Sequence, residues 1–465
     1  MIYPYARSVT KNEEFIKKVT ESPALALDKT VDTSKHLFHN VTSNNSVKRA
    51  GEYWKTLGPG LTTGAADDDP SGIATYSQTG AQYGFQLLWL AAFTFPLMAV
   101  IQEMCARIGL VTGRGLAGNI RIYYSKWILY ICTILLFAAN TFNIGADLGA
   151  MAKATQLLFP AINFGLLILG FTLLSLGLQI FTTYAKYAFY LKFLALILLS
   201  YVLVAAIVNI NINELFLHAI IPSITFSRTQ LFLICGILGT TISPYLFFWQ
   251  TSQEVEEEIH HGKTTLKLRQ ETSDAEIKNM RVDVWSGMFI SNIVMFFIIA
   301  TCAAVLFSHG IKNINTAQDA ALALKPLAGQ NAYLLFALGI VGTGMLAVPI
   351  LAGATSYALA ESFGWKLGLH KNLKQAPSFY GIIILSMAIG LGLNFVGIDP
   401  IKALIYSAVG NGLVAPVILL FIVLLSGSHK VMKERVNHPV ITIVGWVTVI
   451  AMLVAGIATI WSLFY

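Results

Sequence analysis

Charge is what this sequence has least of. Of its 465 residues only 12% are Asp, Glu, Lys or Arg, where a soluble chain carries about 25%. That deficit excludes a disordered chain and a coiled coil, and it argues against a soluble enzyme. Cysteine is scarce too, with Cys105, Cys132, Cys235 and Cys302 the only four. All fall in apolar runs and none forms a CxxC pair, so neither a disulfide framework nor a zinc site is expected. They read as small buried hydrophobes. The sequence has no phosphate loop, no HExxH and no Ser/His/Asp set, and neither an enzyme nor a resident cofactor is expected. Basic residues are not interleaved with aromatics, which argues against a nucleic-acid partner.

Apolar side chains take the place of charge. They make up 55% of the chain, and the mean hydropathy is +0.66. A single core cannot hide that much apolar surface, whereas a bilayer can. Residues 1–55 are polar, without the apolar stretch of a signal peptide, and read as a cytoplasmic tail. Beyond them, apolar stretches of spanning length are expected at 56–82, 85–111, 127–151, 161–183, 186–208, 229–253, 283–307, 332–359, 378–397, 400–425 and 439–463. The fold class is therefore an all-α integral membrane protein of about eleven transmembrane helices. These runs are too long, and lack the strict alternation, for barrel strands.

The net charge is +7, from 31 Lys and Arg against 24 Asp and Glu. With the N-terminus inside, 26 of the 31 basic residues fall on the cytoplasmic side and five outside. The positive-inside bias thus predicts a cytoplasmic N-terminus and an external C-terminus, in a plasma membrane. The charged stretch 254–282 reads as a solvated helix end and loop. The outer stretch 316–324 reads as a short amphipathic helix on the surface. Glu103, in the second span, reads as structurally paired.

Two spans are interrupted. The first runs Gly58-Pro59-Gly60 and then Asp67-Asp68-Asp69-Pro70-Ser71-Gly72. Three acids in hydrocarbon would each cost about 2.5–3.5 kcal/mol on insertion scales, and proline disfavours helix at the residue before it. A local break facing a wet cavity is the cheaper arrangement. The sixth span repeats the device, as Gly239-Thr240-Thr241-Ile242-Ser243-Pro244-Tyr245. Matching breaks in spans one and six indicate two five-helix repeats, 56–208 and 229–425, with an additional helix at 439–465. They also point to a transport site at the membrane midplane. Helix ends expose carbonyls there, and with Asp69 the site favours a cation.

This pattern resembles the NRAMP (natural resistance-associated macrophage protein) family of divalent-metal transporters, over about 400 residues from Gly58. GPG and DP in span one, the proline break in span six, and the segments Ala81–Trp89 and Ala106–Gly113 carry the resemblance. It implies the inverted-repeat fold of the amino-acid and sodium symporters. It also implies a metal site at Asp69, Gly72, Thr240 and Ser243. The family's Asp-Pro-Gly-Asn is replaced here by Asp69-Pro70-Ser71-Gly72, and its Met-Pro-His by Ser243-Pro244-Tyr245. Losing thioether and amide ligands moves the site toward hard, hydrated ions. The resemblance is nearest to the NRAMP-related magnesium transporters. Asp69 is assigned the main charge, Thr240 a carbonyl and a hydroxyl, and Ser243 and Gly72 the space for water. Asp67, Asp68, Asp147 and Asn411 are further cation-site or vestibule candidates.

The family's proton-carrying acids and histidines align to Asn140, Asn143, Tyr245 and Gln250. Amides neither take up nor release protons near neutral pH. The nine histidines all lie in the tail, loops or helix ends. The expectation is transport of Mg²⁺, with Mn²⁺ also carried, as a largely hydrated ion by alternating access without proton coupling. The alternatives are a proton-coupled Mn²⁺/Fe²⁺ symporter, an organic-solute symporter and a metal-sensing receptor. The expected partners are the divalent ion and the lipid bilayer, with no obligatory protein partner.

Overall fold

The computed structural model describes residues 58–182, 196–208 and 210–464. The expected tail, and the first part of the span at 186–208, lie outside the described residues. Among the described residues every regular element is helical. The helices that matter below are α1 (Pro59–Asp67), α2 (Pro70–Tyr83), α3 (Trp89–Thr112), α4 (Leu116–Tyr123), α5 (Lys126–Leu158) and α6 (Phe164–Phe181). They continue with α7 (Arg228–Thr241), α8 (Pro244–His260), α9 (Asp274–Val305), α10 (Ala317–Ala321), α11 (Ala332–Phe363), α12 (Pro377–Leu393), α13 (Pro400–Ser426) and α14 (Pro439–Phe464).

Eight helical stretches among the described residues are long and apolar enough to cross a membrane. The difference from eleven has local causes. The first span is divided into α1 and α2, of 9 and 14 residues. α12 is a 17-residue apolar helix. The fifth span is only partly described. The architecture is that of an all-α integral membrane protein with broken first and sixth helices.

Both breaks follow from proline. Asp69 and Ser243 precede Pro70 and Pro244 and are extended, with ψ of 170° and 133°, as crowding by the proline ring requires. Each proline then opens the next half-helix at N1, where its missing N–H is no loss. The start of α1 has no cap of its own. Asp283 of α9 supplies one, accepting from the backbone N–H groups of Gly58 (2.8 Å), Gly60 (2.6 Å) and Leu61 (3.1 Å).

Small residues set the closest crossing. A Cβ on Gly287 of α9 would overlap the Gly60 carbonyl of α1, and one on Gly64 would overlap the Gly287 carbonyl. Where helices gain nothing from water, such close approach holds them together. Gly287→Ala is therefore expected to lower stability by about 1–3 kcal/mol. Gly177→Ala in α6, where a Cβ meets nothing within 4 Å, should change it by less than about 0.5 kcal/mol. Thermal unfolding in detergent compares the two, and equal midpoints would refute the crossing argument.

One expectation is corrected. The stretch 254–282 is not simply solvated, because Glu254 and Glu258 are buried and Glu256 is bonded to Tyr357 and the 369–370 backbone. The reason is that α8 continues past the apolar run and packs its acids against polar partners. The outer stretch forms a short helix, α10, with one face buried and Gln318 exposed. Ala317, Ala320 and Ala321 are buried against α5 and α11, since a methyl-sized face packs closely. Glu103 is paired, accepting from Arg281 (2.9 Å) and the Trp285 indole (2.8 Å). The four cysteines are buried and free.

Candidate metal-ion site at two helix breaks

The C-terminal ends of α1 and α7 both stop at the breaks. These are the negative ends of two helix dipoles, and both suit a cation. Asp69 and Ser243 begin the opposite half-helices. Asp69 is fully buried. Its Oδ1 caps α2, accepting from Gly72 N at 2.7 Å and Ser71 Oγ at 2.6 Å. Its Oδ2 turns to other helices, accepting from Asn143 Nδ2 at 3.1 Å, with the Tyr245 hydroxyl at 3.5 Å. Tyr245 has one proton to give, and Ala66 O, at 3.0 Å, is the nearer acceptor.

The break therefore brings together Asp69, Gly72, Asn143 and Tyr245. Thr240 is also present, because a Cβ on Gly72 would lie 3.1 Å from Thr240 Oγ1 and 3.3 Å from the Asp67 carbonyl. The volume opened by glycine is thus taken up by the Thr240 hydroxyl and is not spare room. That hydroxyl is buried and has no hydrogen-bond partner among the described residues. The Thr240 carbonyl, expected to be free, accepts from Ser243 Oγ at 2.6 Å, and the Gly239 carbonyl accepts from the same hydroxyl at 2.8 Å. Ser243 ties off the end of α7 in this conformation.

The neighbouring acids divide. Asp67 Oδ2 accepts from Ser291 Oγ at 2.7 Å, while Asp67 Oδ1 and Asp68 Oδ1 are buried without partners among the described residues. Asp147 is buried, and neither of its oxygens has a hydrogen-bond partner among the described residues. Asn411 is also buried and has no side-chain partner among the described residues, but it lies on the other side of the site from Asp147. Asn143 meets Ser407 (Oγ to Oδ1, 2.9 Å) while Gly149 meets Pro400, so α5 and α13 run antiparallel. One turn from these contacts, about 6 Å, Asp147 and Asn411 diverge. Among the described residues no three His, Cys, Asp or Glu side chains gather as a metal-binding group.

The remaining replaced positions have structural partners. Asn140 donates to the Leu351 carbonyl (3.2 Å) and Thr355 Oγ1 (2.9 Å). Gln250 accepts from Thr63 of α1 and donates to Glu254 at 2.8 Å. Sequence reasoning gave no role to Ser407 or Ser291, polar residues on otherwise apolar helices, and read Glu254 only as part of a charged, solvated helix end. It also missed Met295 of α9, whose sulfur accepts from Thr241 at 3.7 Å. Helical spacing alone does not say which neighbour each would meet.

At the other end of α2, Gln78 accepts from Ile314 N (2.8 Å) and donates to the Lys312 carbonyl (3.2 Å). This clamps the segment before α10 over the half-helix. Beneath it a cavity of only ≈10 Å³ remains, lined by Ile73, Ile314, Phe336 and Leu404.

Several known proteins are similar to this chain. The divalent metal cation transporter MntH of Aeromonas hydrophila subsp. hydrophila is 28% identical over 415 residues, covering 86% of this chain and 93% of that one. A manganese transporter of Eremococcus coleocola, solved with an aromatic bis-isothiourea compound, superposes with a TM-score of 0.70 at 19% identity, over 88% of each chain. A nucleobase-cation-symport-1 family transporter in a closed conformation superposes with a TM-score of 0.50 at 15% identity, over 87% of this chain and 92% of that one. Residues 60–462 match the family described as natural resistance-associated macrophage protein-like. With that match spanning both breaks and nearly every helix between them, the chain belongs to the Nramp family of divalent metal-ion transporters.

Proposed function

We propose that this member carries Mg²⁺, with Mn²⁺ as a second cargo, into the cell across the plasma membrane, without a coupled proton. The N-terminus then faces the cytoplasm and the C-terminus the outside. One observation carries the reading: Asp69 meets an amide, Asn143, where a second acid would let the pair share and pass a proton. An amide N–H donates permanently and does not titrate.

The donor set supports the choice of ion. Asp69 oxygens, the Thr240 hydroxyl, the carbonyls of Ala66, Gly239 and Thr240, and the Ser243 and Tyr245 hydroxyls are all hard oxygen groups. Mg²⁺ favours such groups and keeps several waters. Asp69 supplies the charge that draws the ion in. Ser243 and Tyr245 exchange their present carbonyl bonds for water or the ion as it arrives, so the breaks need little reorganisation. Asp147 and Asp68 line the approach. An inside-negative potential favours entry by about 4.6 kcal/mol per 100 mV for a divalent ion.

Met295 favours a second reading. It places a thioether behind Thr241, and the named relatives carry divalent metal or manganese. A proton-coupled Mn²⁺ symporter would use that sulfur after a shift of α9. Competition uptake in proteoliposomes separates the two readings. Mg²⁺ should displace Mn²⁺ at comparable concentration, with uptake equal at pH 6 and pH 8 and no acidification reported by an internal dye. Metal-dependent acidification that tracks uptake would overturn the uncoupled mechanism. Mn²⁺ uptake unaffected by excess Mg²⁺ would overturn the magnesium assignment.

A further inference from the structure

The half-helix α8 begins at the metal site and ends at a second cavity, of ≈660 Å³. The turn before α4, the far end of α8, residues 264–269 and the end of α11 converge on it. Five permanent cations line it, namely Arg114, Arg121, Arg269, Lys366 and Lys371, against two carboxylates, Glu256 and Glu361. Both carboxylates already have donors. Glu361 accepts from Gly115 N (2.7 Å) and Gly118 N (2.9 Å). Glu256 accepts from the Tyr357 hydroxyl (2.8 Å) and Leu369 N (3.1 Å), and its other oxygen lies 2.7 Å from His370 Nδ1.

The cations outnumber these acids, and Glu256 and Glu258 act on Arg269 only through space. Among the described residues none of the five forms an ion pair. Arg269 donates to the carbonyls of Gly113 (3.2 Å) and Thr264 (3.0 Å), Arg121 to that of Glu361 (3.2 Å), and Lys371 to that of Leu367 (2.9 Å). The Arg114 and Lys366 side chains have no hydrogen bond among the described residues. Burial pushes Arg269 below its ordinary value, with Glu258 and Glu256 opposing the shift and Arg114 adding to it.

These side chains are also held in place. Gly113 and Gly364 have φ of +63° and +70°, and a Cβ at either position would crowd Arg269 or overlap Arg121. Only glycine adopts that backbone readily and leaves room for the guanidinium stems. The positive-inside bias asks for basic residues on one side of a membrane. It does not ask that they converge on one concavity, packed on glycine turns, with their acids already taken.

We propose that this cavity binds a phosphate-bearing anion, either the headgroup of an acidic lipid or a free di- or polyphosphate. Guanidinium forks suit phosphate oxygens, and Arg114 and Lys366 have no bond to break before turning to them. A bound anion ties the end of α8 to α4 and α11. It thereby stabilises the half-helix that carries Ser243 and Tyr245 at its other end. The site does not depend on which metal is carried.

The test uses the full chain in metal-free buffer. In neutral detergent the thermal midpoint is followed against pyrophosphate. In vesicles it is compared between phosphatidylcholine alone and phosphatidylcholine with phosphatidylglycerol. A rise with pyrophosphate identifies a soluble phosphate, and a rise confined to phosphatidylglycerol vesicles identifies a lipid headgroup. The double variant Arg114→Gln/Lys366→Gln should keep the ligand-free midpoint and require at least about tenfold more of the responding anion. If the pair folds poorly, each single variant should show a part of that loss. The proposal is overturned if neither arm responds, if the variants respond like the natural chain, or if sodium chloride at matched ionic strength gives the same rise.

Discussion

Asp69→Asn is expected to reduce Mg²⁺ and Mn²⁺ uptake by at least about 100-fold while leaving the protein folded. Asparagine keeps the shape and caps a helix about as well as aspartate. The bonds from Gly72 N and Ser71 Oγ that start α2 therefore survive. What is removed is the negative charge at the meeting point of two helix ends. A unit charge pair at 4 Å contributes about 4 kcal/mol at an effective dielectric constant near 20, and a divalent ion doubles it. Even a third of that total, about 2.8 kcal/mol, is a factor of about 100 in occupancy. Proteoliposome uptake beside a thermal-unfolding midpoint measures both halves of the expectation. Retention of more than a tenth of the natural rate would show that the charge of Asp69 is not what draws the ion.

The second large effect is on selectivity. Ser243→Met is expected to shift the Mn²⁺/Mg²⁺ preference toward manganese by at least about tenfold. The substitution does two things at once. It adds a thioether, which softer ions accept and Mg²⁺ does not. It also removes the hydroxyl that now occupies the Gly239 and Thr240 carbonyls. Ser243→Ala separates these effects, because it frees the carbonyls without adding sulfur. Competition uptake of Mn²⁺ against Mg²⁺ should change with methionine and stay near the natural ratio with alanine. An equal shift in both would mean that carbonyl access, rather than ligand softness, sets the preference.

The breaks were legible because their cause is local. A proline restricts the residue before it, and three acids in an apolar span need a polar setting, so Asp69 and Ser243 could be placed from neighbours in the chain alone. The partners of Asp69 were not legible in the same way. Asn143 comes from α5, 74 residues away, and Tyr245 from α8, 176 residues away. Asn143 was identified as a position where an acid is missing. Only the fold shows that its amide takes hold of Asp69 directly. Gly72 teaches the same lesson in reverse. Its missing side chain suggested open space, yet α7 brings the Thr240 hydroxyl into it.

Charge in the loops misled for a related reason. Glu254 and Glu258 look solvated in one dimension, because they sit in a run of four glutamates broken only by Val255. In three dimensions the half-helix carries them inward, and Glu254 receives a bond from Gln250.

Composition, hydrophobic run length and proline chemistry were enough to specify a helical membrane protein with two interrupted spans and an acidic midplane. These properties act over a few residues, or sum over the whole chain without regard to order. Which donors surround Asp69, how the Ser243 hydroxyl is spent, and that five cations close on one cavity were decided by packing. Helices far apart in sequence meet there at close range, and short-range forces such as hydrogen bonds register only that final arrangement.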